Sequence, residues 1–369
     1  MSPPVLSDRS LGAVVVESSI FLIMNIISIV GNVLVCLEVY KNPKLRSSTN
    51  LYVVALAVSD LLCATMLMPF ASAVSITGGW IFGDAFCQLE GFVQLFVLYS
   101  TPGTIGLLAF NRYIRIVKTS HYNKIFSPRR SKVWLSCVWL SLALYLLIGG
   151  VTIANWSTFE FNPRYADCSV AFNTTEKKII HFCVVFGLLF LLSFSVGLFS
   201  YYKIFLKTRQ HQVNVAPSLQ NSRNQAGRIS VQEINMSRTL AYVAGGFLIC
   251  WVPMWGLIFW KRFSPDTAPR IVQLTVLFLL YLSSTINPFI YAARNRVFRE
   301  EFRKLLCWWK ERRITTEADS GANRKRGRGK KTTETAISSP ESTSVFFPPG
   351  DGKDKDHRNP ENEVAERDP

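Results

Sequence analysis

The sequence predicts an all-α membrane protein: a bundle of seven transmembrane helices, followed after the last span by a short amphipathic cytoplasmic helix. Three observations predict it. Of the 369 residues, 49% are hydrophobic and only 18% are charged. Seven mainly apolar stretches, near 17–40, 50–74, 87–114, 133–154, 179–206, 237–260 and 270–292, are each long enough as a helix to cross roughly 30 Å of hydrocarbon. Polar or helix-breaking residues then interrupt separate stretches: Asn32 in the first, Asp60 in the second, Arg112 closing the third and Asn287-Pro288 in the last. An ionisable group at the depth of Asp60 costs roughly 2.5–3.5 kcal/mol on insertion, so it marks an ion or signalling site. Buried helices of a soluble protein are shorter and carry polar faces, which these stretches lack.

Residues 1–16 form a short N-terminal segment with no basic n-region before a cleavable apolar core, so no signal peptide is read there. Positive charge sets the orientation. With the N-terminus outside, only Arg9, Arg164, Lys177, Lys178, Lys261, Arg262 and Arg270 of the 41 Lys and Arg fall on the outer side. The short loops agree: Arg115, Lys118, Lys124, Arg129, Arg130 and Lys132 lie between the third and fourth spans, and no basic residue lies in 75–86. The net charge of +16 therefore reads as attraction to membrane lipid and to a cytoplasmic partner, and not to nucleic acid.

Five cysteines, Cys36, Cys63, Cys137, Cys183 and Cys250, lie inside spans, where a thiol behaves as a small hydrophobe. Cys87 opens the third span and Cys168 lies in the second outer loop, so topology leaves this pair for an extracellular disulfide. Two sequons flank Cys168, at Asn155 and Asn173, and are candidate glycosylation sites; a third at Asn235 falls on the cytoplasmic side and is expected to be silent. Residues 207–232 form a polar third inner loop. In 295–307, Phe298, Phe302, Leu305 and Leu306 share one helical face opposite a charged one, the pattern of a helix lying along the membrane surface. Cys307 at its end sits among Leu306, Trp308 and Trp309, the setting of a palmitoylated cysteine; a free thiol at the interface is the alternative. Residues 308–369 form a cytoplasmic tail, expected to be disordered. Its Thr332–Ser344 segment has the composition of a phosphorylation cluster, which suits receptor kinases and arrestin; an unmodified solvated tail is the bland alternative.

Read together, Gly31-Asn32, Leu56-Ala57-Val58-Ser59-Asp60, Cys87, Asn111-Arg112-Tyr113, Trp139, Cys168, Cys250-Trp251-Val252-Pro253 and Asn287-Pro288-Phe289-Ile290-Tyr291 resemble the rhodopsin-like (class A) G-protein-coupled receptors in order and spacing. Within that family, Cys87 to Phe92, Asn111 and Tyr122 to Ser127 look like the melatonin-receptor branch. Trp255, Phe172, Leu189 and Asn287-Pro288 depart from that branch. Gln94 stands where amine receptors carry an aspartate, and Tyr281 stands where opsins carry the retinal lysine.

The resemblance implies a receptor that binds a small extracellular ligand and activates heterotrimeric G proteins at the plasma membrane, with inhibitory coupling if the melatonin likeness extends that far. A class A receptor for a short peptide or lipid is the nearest alternative. A transporter or channel would also fit seven spans, but no inverted repeat is visible. No His/Cys/carboxylate metal set or nucleophile–base pair suggests an enzyme. The resemblance places the ligand against Gln94, Leu98, Val185, Leu189, Trp251, Met254, Trp255, Leu277 and Tyr281. It draws Asp60, Asn32, Thr101, Ser283 and Asn287 together near mid-membrane, where the family holds a sodium ion; a protonated, hydrogen-bonded Asp60 is the alternative, and no other cofactor is expected. It makes Asn111, Arg112, Tyr113, Tyr201, Glu233 and Tyr291 the G-protein switch, with Glu233 as resting partner of Arg112. Two residues depart from the common pattern: Ser193 replaces a proline in the fifth span, and Pro102 stands inside the third.

Overall fold

The computed structural model describes residues 9–148, 157–162, 166–215, 231–263, 268–294, 298–300 and 303–304. Most of the helical spans outlast the apolar stretch that announced them. The first, α1 (Leu11–Lys41), begins where the Ser10 side chain accepts from Ala13 N–H at 3.2 Å, a standard N-cap, so the N-terminal segment is shorter than 1–16. The second span divides into α2 (Ser48–Met66) and α3 (Met68–Thr77) at Leu67, because Pro69 sits in the first turn of α3 and cannot donate to the preceding turn. Then come α4 (Asp84–Val117), α5 (Tyr122–Ile125) and α6 (Pro128–Leu146). A two-stranded antiparallel hairpin follows, β1 (Ser157–Asn162) and β2 (Asp167–Phe172), paired in register from Ser157↔Phe172 to Asn162↔Asp167.

The fifth span runs from α7 (Thr175–Cys183) through a π-helical stretch, Val184–Leu191, into α8 (Leu192–Val215). It is followed by α9 (Val231–Phe263) and α10 (Arg270–Arg294). Among the described residues, six helical segments are long and apolar enough to cross a membrane. The fourth expected span, on α6, does not reach that measure over its described length: Arg129, Arg130 and Lys132 fall within its first five residues, and residues 149–154 lie outside the description. The amphipathic helix is seen only at 298–300 and 303–304, both helical, and Cys307 and the tail 308–369 lie outside the described residues.

The interior holds three apolar clusters. At the hairpin end Leu95, Phe190, Phe247, Trp251, Trp255 and Phe159 pack together. At the Arg112 end Tyr52, Leu56, Leu108, Leu240, Tyr291 and Phe298 do so, and Phe298 is the one described member of the predicted apolar face. Phe21, Met68, Leu277 and Tyr281 join the first, second and last spans. Large apolar side chains such as Leu22, Leu140, Ile249 and Phe289 point outward instead, as spans facing lipid require. Gly31 explains the close approach of α1 and α10: a Cβ there would lie 2.7 Å from Pro288 Cγ.

The two departures in the third and fifth spans become legible here. α4 runs through Pro102 without ending, and Gly106 lets it meet the fifth span, since a Cβ at Gly106 would sit 3.3 Å from the Ser193 backbone. Where the family's proline would interrupt the ladder, the π-helical turns just before Ser193 break the regular α pattern instead.

Candidate functional site: a cavity and a buried ion pair

The hairpin end and the Arg112 end carry separate polar machinery. The hairpin lies across the bundle because Cys168 of β2 is bonded to Cys87 in the first turn of α4. Gly91 admits it: a Cβ there would fall 2.2 Å from the Phe159 ring. Gln88 clasps the same strand, donating to the Phe159 carbonyl at 2.7 Å and accepting from its N–H at 3.2 Å. The outer-loop Trp80 packs on Phe70, Phe82 and Phe161, closing the rim. The sequence reading left this whole segment as a loop; the alternation of Phe159 and Phe161 with exposed Glu160 was the available signal.

Beneath the hairpin is a cavity of about 370 Å³. Of the expected ligand residues, Gln94, Leu98, Val185, Trp251, Met254, Trp255, Leu277 and Tyr281 line it. Leu189 does not: it packs into the apolar cluster, because the π-helical turns change which side chains of the fifth span face inward. An aromatic wall backs the cavity, with Phe186 4.9 Å and Phe190 4.6 Å from the Trp255 ring.

The sequence reading missed the polar part of the lining. Asp167 accepts from Gln94 Nε2 at 2.5 Å and from Ser169 Oγ at 3.0 Å. His181 joins three helices, its two ring nitrogens 2.8 Å from the Tyr99 hydroxyl and 2.9 Å from that of Tyr145. Position beside Cys168 was the available signal for Asp167, since the disulfide fixes that residue over α4.

Farther in, Thr101, Ser283 and Ser284 also line the cavity. Asp60 is almost fully buried and accepts from Asn287 Nδ2 at 2.9 Å. Asn32 Nδ2 donates to the carbonyls of Ser28 at 2.9 Å and Ser284 at 3.0 Å. Thr101 and Ser283 turn their hydroxyls to the backbone carbonyls of Val97 and Leu280, and Ser283 accepts from Trp251 Nε1 at 3.3 Å. The structure thus joins Asp60 to Asn287 directly, while the other three expected residues hydrogen-bond elsewhere. Asn32 Oδ1 is buried without a hydrogen-bond partner. The Asp60 carboxylate and the orphaned Asn32 amide oxygen are hard oxygen donors of the kind an alkali cation takes, so in their chemistry these residues fit one.

At the opposite end, Arg112 is buried and its Nη1 lies 2.8 Å from Glu233 Oε2, linking α4 to α9. Arg115, absent from the sequence reading, takes the other oxygen: its Nε donates to Glu233 Oε1 at 3.2 Å, and its guanidinium stacks 4.6 Å above the Tyr122 ring. Helical spacing was its signal, as i and i+3 share a face. Asn111 does not support Arg112. Its Oδ1 accepts from Thr49 Oγ1 at 2.8 Å and its Nδ2 donates to the Tyr122 hydroxyl at 3.4 Å, tying α4 to α2 and α5. Tyr113 packs between Phe110 and Phe199. Among the described residues the buried Tyr291 hydroxyl has no hydrogen-bond partner, and its ring lies 5.8 Å from that of Phe298. Tyr201 lies near enough to Arg112 for the two to interact electrostatically. Of the expected modification sites, Asn173 is exposed just before α7, and Asn155 and Cys307 lie outside the described residues; the third sequon, at Asn235, is helical with Ser237 buried.

A cavity at one end of a helical bundle and an ion pair between its third and sixth spans at the other match a known architecture. The family model of the 7 transmembrane receptor (rhodopsin family) covers residues 31–291. The chain belongs to that family. It is therefore a multi-pass membrane receptor and not an enzyme. It is 30% identical over 293 residues to melatonin receptor type 1A of Ovis aries, covering 78% of this chain and 76% of that one. It is 29% identical over 293 residues to the histamine H2 receptor of Homo sapiens, covering 77% of each chain. It is also 29% identical over 300 residues to a high-affinity lysophosphatidic acid receptor of Xenopus laevis, covering 76% of this chain and 79% of that one. The crystal structure of squid rhodopsin superposes with a TM-score of 0.68 at 22% identity, covering 84% of this chain and 91% of that one, which is a likeness of fold. The melatonin likeness of the third span therefore does not set this receptor apart from amine or lysophospholipid relatives over its full length.

Proposed function

We propose that this receptor binds a small extracellular ligand in the cavity beneath the hairpin and passes the signal to a heterotrimeric G protein at the Arg112 end. The observation that carries the reading is the ion pair of buried Arg112 with Glu233 across α4 and α9, at the far end of the bundle from the cavity. Opening α9 breaks that pair and exposes Arg112 to a partner, and Tyr201 and Tyr291 then move in to hold the open form. Cavity size favours a small molecule over a peptide, because about 370 Å³ is near the lower end for drug-sized ligands. The orientation has the hairpin end outside and the basic end in the cytoplasm of the plasma membrane, with the tail available to receptor kinases and arrestin, Cys307 to a palmitoyl chain and Asn155 and Asn173 to glycans. Inhibitory coupling follows if the melatonin likeness of the third span extends to the G protein.

Asp60, with Asn32, Asn287, Thr101 and Ser283 around it, would hold a sodium ion in the resting state. The ion offsets the cost of a buried carboxylate and stabilises the closed bundle. The test of the whole reading is nucleotide exchange on purified heterotrimers across a ligand panel of melatonin, other indoles, lipids and short peptides. Exchange stimulated by a small molecule supports it; ligand-driven solute flux without exchange refutes it.

A further inference from the structure

His181 of α7 is half-buried on the cavity lining, and both of its ring nitrogens are engaged. Nε2 lies 2.8 Å from the Tyr99 hydroxyl of α4, and Nδ1 lies 2.9 Å from the Tyr145 hydroxyl of α6. Phe172, at the end of β2, packs its ring 5.0 Å from the imidazole, and the Tyr145 ring stacks on it at 5.8 Å. These three polar groups cannot satisfy one another completely. A neutral imidazole donates through one nitrogen and accepts at the other, and each tyrosine hydroxyl brings one proton. One tyrosine therefore donates to the ring, while the other receives the ring proton and keeps its own O–H without an acceptor. A doubly protonated ring would leave both hydroxyl protons in that state. Among the described residues neither hydroxyl has a second hydrogen-bond partner. Tyr99 is 6% exposed and lines the cavity, whereas Tyr145 stands behind His181 and does not. With His181 protonated at Nε2, the unmatched donor is therefore the hydroxyl on the cavity side.

A second observation points the same way independently. Trp255 Nε1 and Tyr281 Oη belong to residues lining the same cavity, and among the described residues both are buried without a hydrogen-bond partner. An indole N–H can only donate, and a buried donor without an acceptor is costly. Charge is not what the lining offers. Asp167 already accepts from Gln94 and Ser169, and Lys178 is exposed to water, where its charge is screened. A ligand carboxylate would in addition meet Asp167 in the same cavity.

We propose that the cavity takes a neutral aromatic molecule with a carbonyl or ether oxygen, and that this oxygen accepts from the Tyr99 hydroxyl. The bound oxygen completes a one-way chain: Tyr145 donates to Nδ1 of His181, Nε2–H donates to the Tyr99 oxygen, and Tyr99 donates to the ligand. Every donor and acceptor of the triad then has a partner, and bonds in such a chain strengthen one another. The ligand ring lies against Trp255 and Phe182. Tyr99 is the residue that touches the ligand; His181 and Tyr145 are positioning residues that act through it. This deepens the receptor reading and rests on it.

The test uses full-length receptor and two ring series, phenyl and indolyl. In each, the N-acetyl amide of the arylethylamine is compared with the parent amine, the arylpropionate and the butyl-substituted ring, whose chain carries no acceptor. Thermal unfolding is followed against probe concentration. At least one amide raises the midpoint of the wild type, and its amine, acid and hydrocarbon counterparts need concentrations about tenfold higher or more. Tyr99→Phe keeps the ring and raises the amide's half-effective concentration about three- to tenfold, the range of a neutral hydrogen bond, while that of the hydrocarbon is unchanged. A merely structural loss would move both. Nitrogen magnetic resonance of receptor carrying labelled histidine reads the triad directly. Saturating amide gives His181 one form, protonated at Nε2 and not at Nδ1, its signals assigned by their loss in His181→Gln. The proposal is overturned if amine, acid or hydrocarbon matches the amide, if no amide acts on the wild type, or if Tyr99→Phe leaves the amide response intact. Should Tyr99→Phe fail to fold, the histidine spectrum decides, and a proton on Nδ1 in the amide complex overturns it. Ligand-free exchange by Glu233→Ala tests the receptor reading without any probe, so the two failures are distinguishable.

Discussion

Replacing Glu233 by alanine removes its contacts to Arg112 and Arg115 at once. Its Oε2 lies 2.8 Å from Arg112, whose side chain is 4% exposed, and its Oε1 lies 3.2 Å from Arg115, whose side chain is 41% exposed. The exposed pair contributes about 0–1 kcal/mol after screening. The buried one contributes about 1.5–3 kcal/mol as a charge-assisted hydrogen bond, discounted because Glu233 itself is partly solvated. A combined closed-state loss of about 2 kcal/mol shifts the resting equilibrium roughly thirtyfold. From an open population of about 1%, that raises basal signalling to about 20% of maximum. The assay is ligand-free nucleotide exchange in membranes, normalised to receptor at the surface. Arg115→Ala should raise basal exchange by less than about fivefold, since the Glu233 contact that it removes is the exposed one. Arg112→Ala should weaken coupling, because under the proposed function the same guanidinium meets the G protein. Unchanged basal exchange in Glu233→Ala, or a larger rise in Arg115→Ala than in Glu233→Ala, refutes the reasoning.

Three further outcomes are expected. Cys168→Ser releases the hairpin from α4 and should sharply reduce surface expression, measured by flow cytometry; normal surface levels would contradict the anchoring role. Gly91→Ala drives a methyl into the Phe159 ring, 2.2 Å from the built Cβ, and should destabilise the solubilised receptor by about 1–3 kcal/mol, read as a lower thermal midpoint. Asp60→Asn should abolish any sodium-induced fall in agonist affinity in radioligand competition; retained sodium sensitivity would remove the cation from this site.

The bundle was legible because hydrocarbon thickness and backbone hydrogen bonding leave little freedom to a run of apolar residues. Helix ends were not. α1 begins six residues before its apolar stretch, at a serine cap that hydropathy does not register. The Arg112–Glu233 pair was readable from motif spacing, yet Arg115 and the Thr49–Asn111 bond were not, since they depend on which face of α4 turns toward which neighbour. The apolar cavity wall followed the spans, except at Leu189, where π-helical turns changed the facing. Asp167 was not legible because it stands outside the spans, and such residues reach a bundle only through the path the disulfide imposes.

The most direct test of a latch between α4 and α9 is a pulsed electron-resonance distance measurement between spin labels. Labels at the exposed positions Arg130, before the fourth span, and Arg238, on α9, would be compared in wild type and Glu233→Ala, with the exposed Cys137 and Cys183 and the tail-proximal Cys307 replaced. The account predicts one dominant distance in the resting wild type and a second, longer component in Glu233→Ala. Superimposable distributions in the two proteins would contradict it.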